Sequence, residues 1–331
     1  MSSESLRIGL IGIGRIAQAH LDAALRLREH VSPVAFCSRN EVNARRAADR
    51  AGGGRIYVDY RALVADNDID AVVVSTPHDL HHEVCLAAID AGKHVLVEKP
   101  MTRTAREAEE LVAAARTAGL TLMVAQSRRF PDSVDKLFSL LSELGEIFRL
   151  HVLFLVSFPS PPTDWWRSAE RAGGLVIMLQ GSHALDSVLW WKGEAPREVY
   201  AKVDRRNDAW EGEDEADIFC AFAGGATASV HLSLNTTPPL HESLIVGDHG
   251  RLRLIEYPTG RPFGFGYRLE HNGSVVFEEA EARPYLAQLR EFAAAVREGR
   301  PPLASGAEIL PVMRTLDAAR RSARTGRPER L

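Results

Sequence analysis

The chain has 331 residues, 45% of them hydrophobic and 25% charged, which is ordinary globular usage and enough to bury a large core in two domains. A net charge of −4 gives no polyanion-binding surface, so nucleic acid is not an expected partner, and the basic run Arg320, Arg321, Arg324, Arg327 and Arg330 reads as a solvated helix face. The polar start Met1–Ser5, and the absence of any window near the roughly 20 apolar residues of a membrane helix, predict a cytoplasmic protein with no membrane contact.

Through residue 125 the pattern alternates strand and helix. Strand Leu6–Ile11 runs through a glycine turn into a helix around Ile16–Arg28, and strand Val34–Cys37 leads to a helix at Glu41–Ala51 stopped by Gly52-Gly53-Gly54. Short elements at Ile56–Tyr57 and Tyr60–Ala65 precede the apolar strand Ala71–Val74. Helix His82–Ala91, strand Val95–Val97, helix Ala105–Ala118 and strand Thr121–Ala125 follow. Such βαβ repetition with near-continuous apolar strands predicts a parallel sheet covered on both faces, a Rossmann-type α/β domain over residues 1–126. From residue 127 to 331 the texture is α+β. Strands at Ile147–Val156, Ala216–Phe222, Ala226–Leu234, Ser243–Val246, Leu252–Ile255 and Tyr267–His271 predict a large, mainly antiparallel open sheet, closed by helices Tyr285–Glu298 and Ala307–Ala323. With helices for only part of its surface, that sheet is expected to build a homodimer or homotetramer. Cys37, Cys85 and Cys220 are odd in number and lack ligand spacing, so they read as buried free thiols in a reducing compartment. No metal site is expected.

The stretch Gly12-Ile13-Gly14-Arg15-Ile16-Ala17 fits the dinucleotide fingerprint in its Gly/Ala variant. Gly12 permits the tight turn, Gly14 lets a pyrophosphate approach the backbone, and Ala17 allows close helix–strand packing. Arg15 and Ile16 open the helix whose N–H groups face the phosphates. At the second strand end, Ser38 and Arg39 stand where an acidic residue would select NAD, and no carboxylate occurs before Glu41. Ser38 donates to a 2′-phosphate, and Arg39 pairs with that phosphate or stacks on adenine; NADP is favoured and NAD remains open.

Together with that turn, Ser75-Thr76-Pro77, His81, Gly92 to Pro100 with its Glu98-Lys99-Pro100 close, Gly173-Gly174 and His183 resemble the Gfo/Idh/MocA oxidoreductases, relatives of glucose–fructose oxidoreductase and inositol dehydrogenase. The likeness extends through Gly247-Asp248-His249-Gly250 to Ser322–Arg327 and covers essentially the whole chain. It implies interconversion of a secondary alcohol and a ketone on a sugar, cyclitol or related polyol. Lys99 would lie beside the nicotinamide and the substrate hydroxyl, and His183 would join it in proton transfer. The chemistry agrees, because burial and a cationic oxidised nicotinamide both disfavour an ammonium, leaving an amine to take the hydroxyl proton. Family position also places His78 near the nicotinamide and uses Thr76, Pro77, His81 and Glu98 to shape that end, His81 by closing the loop. Arg129, Trp166 and Arg167 are substrate candidates, each open to a structural reading.

One position departs from the pattern. Four residues before the histidine the family usually carries Asp or Asn, and here stands Leu179, which makes no side-chain hydrogen bond. Either Gln180 substitutes, or the substrate presents an apolar carbon there. Two other readings stay open: a retained-cofactor enzyme using oxidation to enable elimination or glycoside cleavage, and a cofactor-binding sensor without catalysis.

Overall fold

A computed structural model of the chain describes residues 5–331, so the polar start read above lies, but for Ser5, outside the described residues. Two compact units result. The first opens with β1 (Leu6–Ile11), α1 (Arg15–Arg26), β2 (Val31–Cys37), α2 (Glu41–Ala51), β3 (Arg55–Tyr57), α3 (Tyr60–Val64) and β4 (Ala71–Val74). It continues with α4 (His81–Asp90), β5 (His94–Val97), α5 (Ala105–Ala118) and β6 (Leu122–Val124). The six strands pair in the order β3-β2-β1-β4-β5-β6, every pair parallel, so all their carboxyl ends lie along one edge. All four residues of β4 are buried, as a valine run covered on both faces requires. Helix starts follow local chemistry. Asn40 caps α2 through the Val42 N–H, and Thr104 with Glu107 forms a reciprocal capping box on α5.

The second unit begins at Arg128. Its elements are α6 (Asp132–Leu141), β7 (Ile147–Ser157), the short helices α7 (Asp164–Arg167), α8 (Ala169–Ala172) and α9 (Val176–Leu179), and α10 (Gly181–Lys192). Strands β8 (Glu198–Asp204), β9 (Glu215–Ala221), β10 (Thr227–Ser233), β11 (Asn235–Gly247), β12 (Gly250–Pro258), β13 (Phe265–His271) and β14 (Ser274–Ala282) follow. The chain ends with α11 (Pro284–Glu298), α12 (Gly306–Thr325) and β15 (Glu329–Arg330). Nine strands form one sheet in the order β14-β13-β12-β11-β7-β10-β9-β8-β15. Apart from β10 on β7, which is parallel, its pairs are antiparallel, as expected for this half. Helices α9 and α10 cover one face along β7, β9 and β10, while α6 lies over β12 to β14.

One expectation is corrected. The second domain does not run unbroken from residue 127 to 331, because Pro284–Leu310 belongs to the first unit and Pro311–Leu331 to the second. The cause is packing. The buried side of α11, with Leu289, Phe292, Ala293 and Ala295, meets α1, and the Val124 N–H donates to the Ala304 carbonyl at 2.9 Å. Amphipathic periodicity shows that a helix has a face to bury, not which partner buries it. Among the described residues, no helix is long and apolar enough to cross a membrane.

Candidate active site

In the first unit the glycine turn and the loop after β4 are tied together. The Gly12 N–H donates to the Cys37 carbonyl at 2.9 Å, and the Ser75 hydroxyl donates to the Gly12 carbonyl at 2.7 Å. Gly12 has φ +89°, and a Cβ there would stand 2.7 Å from the carbonyl of Ser75. A Cβ on Gly14 would meet nothing within 4 Å. Gly14 is also the N-cap of α1 and leaves its first turn without a side-chain cap or an acidic residue. An open, uncapped helix N-terminus suits an anionic group. Alongside it, the buried Thr76 hydroxyl has no protein partner. These residues fit a dinucleotide pyrophosphate. Of the rest of the motif, Ala17 is buried against the sheet, Ile16 half-buried and Arg15 exposed.

Ser38 and Arg39 follow β2, half-buried and exposed respectively. The Ser38 hydroxyl accepts from the Asn40 N–H at 3.3 Å, and Glu41 is engaged by Arg45 at 2.6 Å. Asp59, which the sequence reading passed over, makes itself felt here. Burial, and then that carboxylate, push the Cys37 thiol up to about 12. All three cysteines are free and buried, as expected.

At β5 the chain passes into Glu98-Lys99-Pro100, with Lys99 half-buried. Glu98 is buried, and its Oε1 lies 2.7 Å from Nε2 of the equally buried His20, while the Lys99 N–H donates to Oε2 at 3.2 Å. His81 is fully buried, with Nδ1 2.8 Å from the Pro100 carbonyl and Nε2 2.9 Å from the Thr76 carbonyl. Burial pushes its imidazole down from the usual range against the pull of those two carbonyls. His81 thus fastens the loop after β4 to the loop after β5. His78 is buried beside it, with ring centroids 5.5 Å apart. Sequence reasoning missed His20; its signal was a histidine on the buried face of an amphipathic helix.

In the second unit, a cleft with about 440 Å³ of empty volume, its open mouth included, lies between α10 and the covered sheet face. His183, Ser187 and Trp191 reach it from α10, spaced four residues apart on one side of the helix. Opposite stand Val152 and Phe154 of β7, His241 of β11, Glu256 of β12 and Tyr267 of β13. The Phe154 ring has His183 stacked on it at 6.2 Å, His241 edge-on at 4.1 Å and the Arg128 guanidinium over it at 4.1 Å. Arg128 donates to Glu256 through Nη2 at 2.6 Å and Nε at 3.0 Å, and the Tyr267 hydroxyl donates to Oε2 at 2.8 Å.

Burial alone would raise the Glu256 carboxyl, but the Arg128 charge and then the His241 hydrogen bond outweigh it and hold it down at about 2. Its folded value lies below its unfolded one. The stability it contributes is therefore complete above about pH 4.5 and is lost as pH falls through about 2. Urea midpoints measured between those values should fall more steeply for the wild type than for Glu256→Gln.

The other substrate candidates of this unit lie elsewhere. Arg129 is buried in a two-point ion pair with Asp186, at 2.6 and 2.9 Å, with its guanidinium over Trp190, so its neighbour Arg128 lines the cleft instead. Trp166 packs edge-on against Phe158 and Trp165, and Arg167 ends the same short helix. Leu179 is buried at the end of α9, and Gln180, the residue between α9 and α10, holds a buried Oε1 without a partner. Burial raises the Glu213 carboxyl, which accepts from the Leu175 N–H at 2.8 Å and so fixes the start of α9 behind the Gly173-Gly174 turn.

Residues 6–126 match the model of an oxidoreductase family with an NAD-binding Rossmann fold, and residues 141–253 match that of the GFO/IDH/MocA C-terminal domain. The chain belongs to the Gfo/Idh/MocA oxidoreductase family. It is an NAD(P)-dependent oxidoreductase. Among this family's members, it is 31% identical over 324 residues to D-xylose 1-dehydrogenase (NADP(+)) 2 of Haloferax volcanii, covering 97% of this chain and 98% of that one. It is 30% identical to 1,5-anhydro-D-fructose reductase of Ensifer adhaerens, covering 97% of each. The crystal structure of GenD2 from gentamicin A biosynthesis, in complex with NAD, superposes with a TM-score of 0.88 at 26% identity, covering 100% of this chain and 97% of that one.

Proposed function

We propose that this chain is an NADP(H)-preferring oxidoreductase interconverting a secondary alcohol and a ketone on a sugar, cyclitol or related polyol. The observation that carries the reading lies within the first unit. The Gly12–Ala17 turn and Lys99 follow β1 and β5, two strands of one parallel sheet, and so share its carboxyl edge. Gly12, Gly14 and the N–H groups opening α1 would hold the pyrophosphate, with Thr76 beside them and Ser38 and Arg39 toward the adenosine ribose. A nicotinamide bound there would supply the hydride chemistry. Lys99 takes the proton from the substrate hydroxyl in oxidation and returns it to the carbonyl oxygen in reduction, with His183 as its partner in proton handling. Glu98 and His81 hold the backbone on either side of Lys99 and take no part in the transfer. The two relatives, a D-xylose dehydrogenase named for NADP⁺ and an anhydrofructose reductase, support the substrate class.

The test is nicotinamide absorbance with NADP⁺ or NAD⁺ and a panel including D-xylose and myo-inositol. Turnover faster with NADP⁺ supports the whole reading. Turnover faster with NAD⁺ removes the cofactor preference, and bound nucleotide without turnover across the panel removes the reaction. Arg39→Ala is expected to raise KM for NADP⁺ about 10–100-fold, the worth of one charge-assisted contact, and to leave KM for NAD⁺ within about 3-fold.

The same proposal includes a homodimer or homotetramer through the large sheet. Its face away from α9 and α10 carries a transverse row, Tyr200, Phe219, Ser229, His151 and Leu244, paired strand to strand, with Tyr200 and Phe219 40% and 46% exposed. Exposed aromatic rings on a face of this extent suit a subunit contact. Light scattering at micromolar concentration is expected to give a dimer or tetramer, and Phe219→Glu to shift it toward monomer; a wild-type monomer removes this part.

A further inference from the structure

The cleft of the second unit holds buried polar atoms that the proposed reaction does not use. His241 Nδ1 lies 2.6 Å from Glu256 Oε1, so the Nδ1–H donates to the carboxylate; the Arg128 Nη2 at 3.4 Å is the weaker neighbour. With Arg128, Tyr267 and His241 all donating to it, Glu256 has its charge fully answered. The outcome for the imidazole is that Nε2 is left over. It is buried and has no protein partner. A second atom shares that condition on a residue lining the same cleft: the indole Nε1–H of Trp191, a residue only 6% exposed. One is a lone pair when the ring is neutral and the other is a donor. Hydroxyl chemistry answers both, because an O–H donates to Nε2 and a hydroxyl oxygen accepts from the indole. Buried polar groups of native proteins need a partner, and in a cleft that partner is water or a ligand hydroxyl that displaces it.

We infer that His241 is a specificity-determining residue whose Nε2 accepts a hydrogen bond from a substrate hydroxyl away from the reacting carbon, with Glu256 as the positioning residue that fixes its tautomer and ring orientation. The inference rests on the reading of this chain as a polyol oxidoreductase. It also accounts for Leu179. The resemblance expects a polar side chain at that position, yet Leu179 is buried outside the cleft wall, and the hydroxyl contact passes instead from the helix to strand β11. The site is built for the role. His241 is registered directly opposite both Phe154 and Glu256 in the sheet, so the ring is braced on two sides. His183 stacks on that same phenyl ring, placing both imidazoles in one cleft.

The test uses the full chain with ¹⁵N-labelled histidine, with D-xylose and myo-inositol as the probes. The His241 Nε2 resonance is identified by its loss in His241→Phe, a variant that keeps a ring beside Phe154. That resonance is expected to shift saturably with at least one probe. For a probe that turns over, His241→Phe is expected to raise KM about 10-fold with kcat within about 3-fold. Glu256→Gln is expected to move the Nε2 resonance in the free protein and to reproduce part of the KM rise. Should Glu256→Gln fail to fold, His241→Gln, which retains a polar side chain, is expected to recover part of the KM that His241→Phe loses. Turnover with no Nε2 shift, or with KM unchanged in His241→Phe, overturns the inference and leaves the reaction standing. A saturable shift without nicotinamide turnover supports the hydroxyl site and removes the reaction. Neither shift nor turnover overturns both.

Discussion

Lys99→Ala is expected to lower kcat by about 10³-fold, within the 10²–10⁴-fold range of a lost proton-transfer group, while Kd for NADP⁺ stays within about 3-fold. The separation follows from where the parts sit. The proposed pyrophosphate cradle at Gly12, Gly14 and the start of α1 is tied by the Gly12–Cys37 and Ser75–Gly12 hydrogen bonds, in which Lys99 takes no part. The backbone around residue 99 is held by others, through the Glu98–His20 pair and the His81 bridge to Pro100, so the variant should keep its fold. Lys99→Arg sharpens the reading. It keeps the positive charge but lacks a base near neutral pH, so a proton-accepting role predicts that it fails in alcohol oxidation almost as badly as alanine. Recovery of oxidation by arginine to within about 10-fold of wild type would make the residue an electrostatic anchor instead. Absorbance of the nicotinamide gives the rate, and quenching of protein fluorescence on titration with NADP⁺ gives the affinity.

The two units were legible to different degrees, for physical reasons. Strands buried on both faces, such as Ala71–Val74, announce themselves as apolar runs, and helices stopped by glycine, such as Glu41–Ala51 before Gly52, have both ends written in the sequence. Strand β11 was harder. It runs from Asn235 to Gly247, yet only Ser243–Val246 reads as strand, because Thr236-Thr237-Pro238-Pro239 carries neither alternation nor a full set of ladder donors. Helix α11 is legible as a helix but not by unit, since its apolar face names no partner.

The site divides the same way. Gly12, Gly14 and Lys99 belong to contiguous motifs, so the sequence offers them directly as candidates. His241 and Glu256 meet across an antiparallel pair, a relation set by register rather than spacing, and nothing in either segment alone announces it. The exchange of Arg129 for its neighbour has a similar origin. Which of two adjacent arginines reaches the cleft depends on Asp186, a helix residue far along the chain, which takes Arg129 for itself.

Two alanine substitutions at the glycine turn should fail differently, and the difference tests whether this turn is a cofactor cradle or merely a bend. Gly12→Ala forces an L-residue into φ +89° and drives a methyl group to 2.7 Å from the Ser75 carbonyl, where the opposing atoms are backbone and cannot rotate away. The left-handed strain alone costs about 1–2 kcal/mol, and the clash must be relieved by separating the β1 and β4 loops. This variant is expected to lose several degrees of thermal stability, about 2–4 °C per kcal/mol, whether or not nucleotide is present. Gly14→Ala meets nothing within 4 Å and has an ordinary extended φ of −95°, so the apo melting temperature should be unchanged. Its methyl is nevertheless added at the N-cap of α1, in open space beside the uncapped helix end. If a pyrophosphate occupies that space, Kd for NADP⁺ should rise about 10–100-fold for each charge-assisted hydrogen bond displaced. Calorimetric melting and nucleotide titration of the two variants separate the outcomes: an undiminished affinity in Gly14→Ala would move the phosphates away from this helix end, whereas a loss confined to binding ties them to it.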